Sequence, residues 1–104
     1  ESKAVRTYKK LSKEYWIALR DTFKEMIPDD APIQVGVYFI RRTRHKYDWV
    51  NPLQTIQDEM VRYDWIEDDN TTIILPYPFR IDGQFEKYDK ENPGVILKIA
   101  NYDY

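Results

Sequence analysis

Cysteine is absent from this chain of 104 residues, which excludes a disulfide framework and any thiolate metal site. Histidine occurs once, as His45, so one chain cannot build a histidine-rich centre. Any metal bound here must therefore be held by oxygen, which favours Mg²⁺ with Mn²⁺ as a substitute. Glycine is scarce, three residues in all, and no Gly/Ser linker or internal repeat divides the chain. No apolar run approaches the roughly 18 residues that a membrane span needs, and no charged-then-apolar leader is visible. These absences lead to the expectation of one cytoplasmic domain over residues 1–104, with no membrane partner.

What is present is apolar and aromatic material: 42% of the residues are hydrophobic and nine are tyrosine, enough for one core. A third of the chain is charged, and the net charge is −2. The charge is unevenly spread. Residues 1–46 hold eleven Lys or Arg against six acids, whereas residues 47–104 hold five against twelve. That asymmetry fits a basic docking surface beside an acidic centre, and equally an uneven run of solvated charge.

The first strong period is helical. Leu11, Tyr15, Ala18, Leu19, Thr22 and Met26 follow one stripe, widened by Trp16, Phe23 and Ile27. Ser12 is the expected N-cap and Pro28 the stop, with a loop to Pro32. Ile33, Val35, Val37 and Phe39 then alternate as a strand with one buried face. A second helix opens at Asn51-Pro52, with Asn51 as cap and Leu53, Ile56, Met60 and Tyr63 inward. A short strand is expected from Thr71 to Leu75, stopped by Pro76 and Pro78. Asp82-Gly83 and Asn92-Pro93-Gly94 mark turns, and Val95, Leu97 and Ile99 alternate in a last strand. The order α-β-α-β-β predicts an α+β fold, two helices packed on a mixed sheet.

Chemistry concentrates between Arg41 and Asn70. A basic run, Arg41-Arg42-Thr43-Arg44-His45-Lys46, precedes an isolated Asp48, the second helix, and the acidic turn Glu67-Asp68-Asp69-Asn70. The helix is roughly 18 Å long, and the residues after it can reach back by up to roughly 23 Å, so the acids can meet. Converging carboxylates without cysteine or histidine suit Mg²⁺, which in phosphodiester hydrolysis polarises the phosphoryl oxygen and supplies a hydroxide. The plainer alternative is a helix-start acid and ordinary Asx turn chemistry.

These residues resemble the RusA family of Holliday-junction resolvases. The family motif is a strand, a basic run, Asp-x-Asp-Asn, a helix, and an Asp-Asp pair ending eighteen residues beyond the Asn. Here Asp48-Trp49-Val50-Asn51 follows the basic run, and Asp69 lies at that distance from Asn51 without a gap. Asp58 within the helix and Trp65-Ile66 before the acids also fit, and the match covers about residues 33–75. The resemblance implies a dimeric, Mg²⁺-dependent endonuclease that resolves four-way and other branched DNA. It makes Asp48 and Asp69 catalytic metal ligands with Asp68 beside them, and Arg41, Arg42, Arg44 and Lys46 phosphate contacts. Asn51 would anchor the helix start.

Three departures accompany the match. The second motif acid is Val50, the lysine that the family usually carries in the helix is Gln54, and the family's N-terminal strand has no counterpart before the first helix. The first two leave room for a branched-DNA-binding protein that no longer cuts, and a protein-interaction module is a third reading. Among the aromatics, Trp16, Trp49 and Trp65 are candidates for stacking on unpaired bases, with core or dimer packing expected for at least two. Tyr77 and Phe79 are expected to cover the sheet end.

Overall fold

The computed structural model describes residues 3–28 and 32–100 of the chain. Residues 29–31 of the expected loop, and Tyr102 and Tyr104, lie outside them. Two helices and four strands follow in the order α1 (Lys3–Met26), β1 (Ile33–Arg41), α2 (Val50–Arg62), β2 (Ile74–Pro78), β3 (Glu86–Tyr88) and β4 (Gly94–Ile99). The fold is α+β with a mixed sheet, as the sequence pattern requires, plus one short strand that the pattern does not announce.

α1 begins nine residues before the expected cap. No glycine or proline interrupts residues 3–11, so helix propagation continues through them. Ser12 is therefore mid-helix, and its hydroxyl accepts the Trp16 indole N–H at 3.1 Å. The buried face differs too. Trp16 and Phe23 enter the core, whereas Leu11, Tyr15 and Leu19 remain 67%, 70% and 49% exposed. The inward face is thus turned by roughly one residue's step of 100° from the expected stripe. Trp65 fixes that rotation. Its indole N–H donates to the Trp16 carbonyl at 2.7 Å, and its ring meets Trp16 edge-on at 4.9 Å and Phe23 at 4.6 Å.

β1 is the centre of the sheet. Its residues 33–37 pair in parallel with β2, and residues 39–41 in parallel with β3. Residues 35–40 pair antiparallel with β4. β4 spans the same stretch as the other two, so β2 and β3 lie end to end on the opposite side of β1. The odd residues Ile33, Val35, Val37 and Phe39 join Leu53, Ile56 and Met60 of α2 in the core, with Ile74 and Ile99. The other face is also covered. Tyr38 is buried beneath Phe79, with ring centroids 5.8 Å apart, and Tyr77 lies over Gly36.

β2 runs through Pro76 and ends at Pro78 rather than stopping at Leu75. The Ile33 N–H donates to the Ile73 carbonyl at 2.7 Å, so by the two-residue alternation the odd residues of β2 face β1. Both prolines then turn their missing N–H groups outward, where an edge strand tolerates them. The same pair removes the donors by which another strand could add to this edge.

Candidate functional site

α2 starts at Val50, two residues before the expected first helical position at Pro52, and its N-cap is Trp49 with no side-chain cap bond of its own. Asn51 is therefore in the first turn and is not the cap. Asp48 supplies the local anchor: its Oδ1 accepts the Val50 N–H at 3.1 Å, and its carbonyl accepts the Asn51 N–H at 3.1 Å. Pro52 falls in the first turn, where a missing N–H costs no helical bond.

The chain reverses sharply at the other end of α2. Asp64 adopts a left-handed conformation with φ 61°, and the Trp65 and Ile66 N–H groups both donate to the Met60 carbonyl, at 2.8 and 3.4 Å. This left-handed helix ending is usually built with glycine. It sends Trp65 and Ile66 into the core and turns the following acids back along α2. The distance from Arg62 back to Gln54 is roughly 12 Å along the helix, within reach of five extended residues.

Asp69 makes that return. Gln54 donates through Nε2 to Asp58 Oδ1 at 2.8 Å and to Asp69 Oδ2 at 3.2 Å. Two carboxylates, one on α2 and one on the returning segment, thus converge on a single donor nitrogen. Val50, Gln54 and Asp58 are spaced four apart and share one exposed face of α2, with Val50 58% exposed. The position where the motif would carry its second acid therefore lies on the same helix face as the clasp.

Asp68 is committed to the turn instead. Its Oδ1 accepts the Asp69 N–H at 2.8 Å and its Oδ2 the Asn70 side-chain amide at 3.1 Å. The Asp69 backbone N–H, and secondarily Asn70, hold its carboxyl below the ordinary aspartate range. Among the described residues, no group of three or more Asp, Glu or His side chains is placed to hold a metal ion. Asp48 and Asp69 share no hydrogen-bond partner.

The basic run divides in two. Arg41 is partly buried, with its guanidinium 3.8 Å from the Tyr47 ring centroid and 3.3 Å from Glu86 Oε2. Those contacts fasten the end of β1 to β3 and the loop before α2. Arg44 lies over the exposed Tyr88 ring at 4.3 Å, and Arg42, His45 and Lys46 are exposed. The solvent-facing charge is therefore carried by Arg42, Arg44 and Lys46.

No family model, no characterised protein and no solved structure matches this chain.

Sequence reasoning named Asp69 and treated Gln54 only as a lost lysine. The sequence did carry a signal for the clasp, because Gln54 and Asp58 are four apart on a helix, a spacing at which Gln and Asp side chains meet. Trp16 and Trp65 prove to be core residues, and Trp49 is half-buried against the core.

Proposed function

We propose that the chain is a Mg²⁺-dependent endonuclease for branched DNA, of the kind its motif resembles, acting as two copies on a four-way junction. The observation that carries this reading is the return of Asp69 to the exposed face of α2, where it meets Gln54 beside Asp58. A hard divalent ion suits oxygen donors, and Mg²⁺ is commonly bound by only one or two carboxylates, with waters and substrate phosphates completing its shell. Asp69 and Asp58 would supply the two carboxylates of that minimum, and Asp48, at the start of the same helix, is not grouped with them among the described residues.

When bound, the ion would supply Lewis-acid stabilisation of the phosphoryl oxygens and a water of lowered pKa. The chain's own residues do the rest. Gln54 keeps the two carboxylates together without adding charge. Asp68 fixes the turn from which Asp69 projects. Arg42, Arg44 and Lys46, at the other side of Asp48 in the chain, would bind backbone phosphates and make affinity salt-dependent. Arg41 would act indirectly by holding the β1 end to which they are attached.

The test is a titration of labelled four-way junction and plain duplex, with and without Mg²⁺. Junction-selective nicking that needs the ion and disappears in Asp69→Asn, while junction affinity persists, is the expected result. Mg²⁺-dependent nicking unaffected by Asp69→Asn would remove this site from the chemistry.

One observation favours a second reading, a branched-DNA-binding protein that does not cut. Val50 offers an exposed apolar side chain on the very helix face where a third acid would complete the set. Salt-sensitive junction binding without nicks at any Mg²⁺ or Mn²⁺ concentration would establish it. Absence of salt-sensitive binding to either DNA would leave a protein-interaction module.

A further inference from the structure

The largest apolar feature of the fold takes no part in the site above. A groove of about 1220 Å³ runs beside α1, with Leu11, Tyr15 and Leu19 along one wall and Val95 and Leu97 of β4 along the other. The two walls have separate origins. Leu11, Tyr15 and Leu19 are spaced four apart on α1, and the anchoring of that helix through Trp16 and Phe23 leaves them exposed. Val95 and Leu97 stand opposite Phe39 and Val37 of β1. They therefore share the core face of the sheet, yet they are only partly buried. A helix and a strand each turn an apolar row toward the same groove, and contiguous apolar surface of this kind marks an interaction site.

The dimensions select the shape of an occupant. Pockets for small ligands usually enclose about 300–1000 Å³, and this groove exceeds them while its α1 wall stays open to solvent. A three-turn α-helix, about 10 Å across and 16 Å long, occupies roughly 1250 Å³. A partner helix laid here would meet both apolar rows at once, the arrangement by which amphipathic helices dock in hydrophobic grooves.

Charge sets the chemistry of that helix. Among the described residues, the lining holds two cations, Lys3 and Arg42, and no carboxylate, in a chain whose net charge is −2. Both cations fall toward one end. Residues 27–32 alone join α1 to β1, too short a link to span the strand, so Met26 lies near the start of β1. Lys3 then lies toward the other end of β1, where Arg42 follows the strand. α1 also has no acidic residue in its own first turn, so incoming carboxylates would meet its positive dipole end as well.

We propose that this groove docks an amphipathic helix of a protein partner, apolar along one face, acidic in its first turn and lying parallel to α1. Acids in the first turn suit the dipole of the partner helix itself, and this fixes its direction. A second copy of this chain does not meet the description, because neither α1 nor α2 carries an acid in its first turn. The inference goes beyond nuclease chemistry and does not depend on it.

The probe is a synthetic helix of about 16 residues, with glutamates filling its first turn and leucines three and four apart along one face. Fluorescence anisotropy of the labelled peptide follows its binding to the full chain. One control peptide carries the glutamates in its last turn, and a second replaces them with lysines. The expected order of affinity is glutamates first, then glutamates last, then lysines. Tyr15→Glu, at a position 70% exposed, should raise the dissociation constant roughly 30-fold, the scale of losing a central interface anchor. Lys3→Glu should weaken the acidic peptide about two- to fivefold and strengthen the lysine peptide by a similar factor. A merely structural lysine would not produce that exchange. Arg42 is left unchanged because it is also among the proposed phosphate contacts. Circular dichroism checks that both variants stay folded, and the comparison of peptides on the wild-type chain needs no variant. Equal affinity for the three peptides, no binding at sub-millimolar concentration, or binding indifferent to a folded Tyr15→Glu chain would overturn the proposal. Two further results would overturn it by giving the groove another occupant: uptake of oleate without any peptide binding, or self-association of the chain that Tyr15→Glu abolishes.

Discussion

Asp69 rests 3.2 Å from the Gln54 amide nitrogen, fifteen residues away in the chain and on the far side of a helix reversal. The contact has two requirements. α2 must present Gln54 outward, and the chain must turn back immediately after Tyr63. The first follows from the inward set Leu53, Ile56 and Met60, which leaves position 54 on the opposite face. The second follows from the left-handed Asp64 and the burial of Trp65. The acidic turn is therefore placed by the hydrophobic core, and its local shape is held by the Asp68 carboxylate.

That relationship makes Val50 the informative position for chemistry. Val50→Asp places a third carboxylate on the face shared by Gln54 and Asp58, at little cost because the valine is already exposed. If the face binds Mg²⁺, the variant should bind the ion more tightly, roughly tenfold for about 1.4 kcal/mol of added ligation. Isothermal titration with Mg²⁺ alone measures this, and junction nicking should rise in parallel. Unchanged ion affinity would mean that the face does not hold a cation.

Asp64 occupies a backbone position that glycine adopts without steric cost. Asp64→Gly should stabilise the fold by roughly 0.5–1 kcal/mol. The lost partner, Lys24 at 3.2 Å, is an exposed ion pair and offsets little of that gain. Urea denaturation decides the matter, and a lower midpoint for the variant would show that the Lys24 contact outweighs the backbone relief.

Much of this architecture is legible from residue order. The β1 alternation, the inward positions of α2, the Asp82-Gly83 turn and the last strand all follow from local period and turn chemistry. Three features were not legible, each because a distant partner decides it. The rotation of α1 depends on Trp65, forty-nine residues from Trp16. The extension of β2 through Pro76 to Pro78 depends on which edge β1 leaves free. β3, three exposed residues, carries no apolar alternation and exists only because β1 offers a remaining stretch of edge. At the site, the acids and their spacing could be read directly, but not which of them converge. Asp58 meets Asp69 through Gln54, whereas Asp68 is held within its turn.

Gly36 tests the covered second face of the sheet. A Cβ there would stand 2.7 Å from Phe79 Cδ1, closer than packed atoms allow, and 3.1 Å from the Tyr77 ring, tighter than ordinary contact. Gly36→Ala should therefore push both rings outward and destabilise the fold by roughly 1–3 kcal/mol, the range for overpacking. The size of the drop in chemical-denaturation stability is the measurement. A neutral result would mean that Phe79 and Tyr77 move aside freely and are not part of the fixed structure.

Tyr8 gives the fold an alkaline limit that can be assigned to one residue. Burial against the core pushes its phenol up to about 12, opposed by its hydrogen bond with Ser12 and helped by the negative charge of Glu59. Folding thus raises the pKa, so the folded chain keeps this proton at a pH where the unfolded chain has released it. Between about pH 10 and pH 12 the unfolded state binds fewer protons, and stability must fall as pH rises. A shift of about two units corresponds to at most roughly 2–3 kcal/mol, reduced by the partial exposure of the ring. Tyr8→Phe removes the titrating group while keeping the ring, so its stability should decline less steeply over the same interval. Urea unfolding at pH 9 and at pH 11.5 compares the two slopes. Equal slopes would assign the alkaline loss to other tyrosines, of which Tyr47 is also shifted upward by burial.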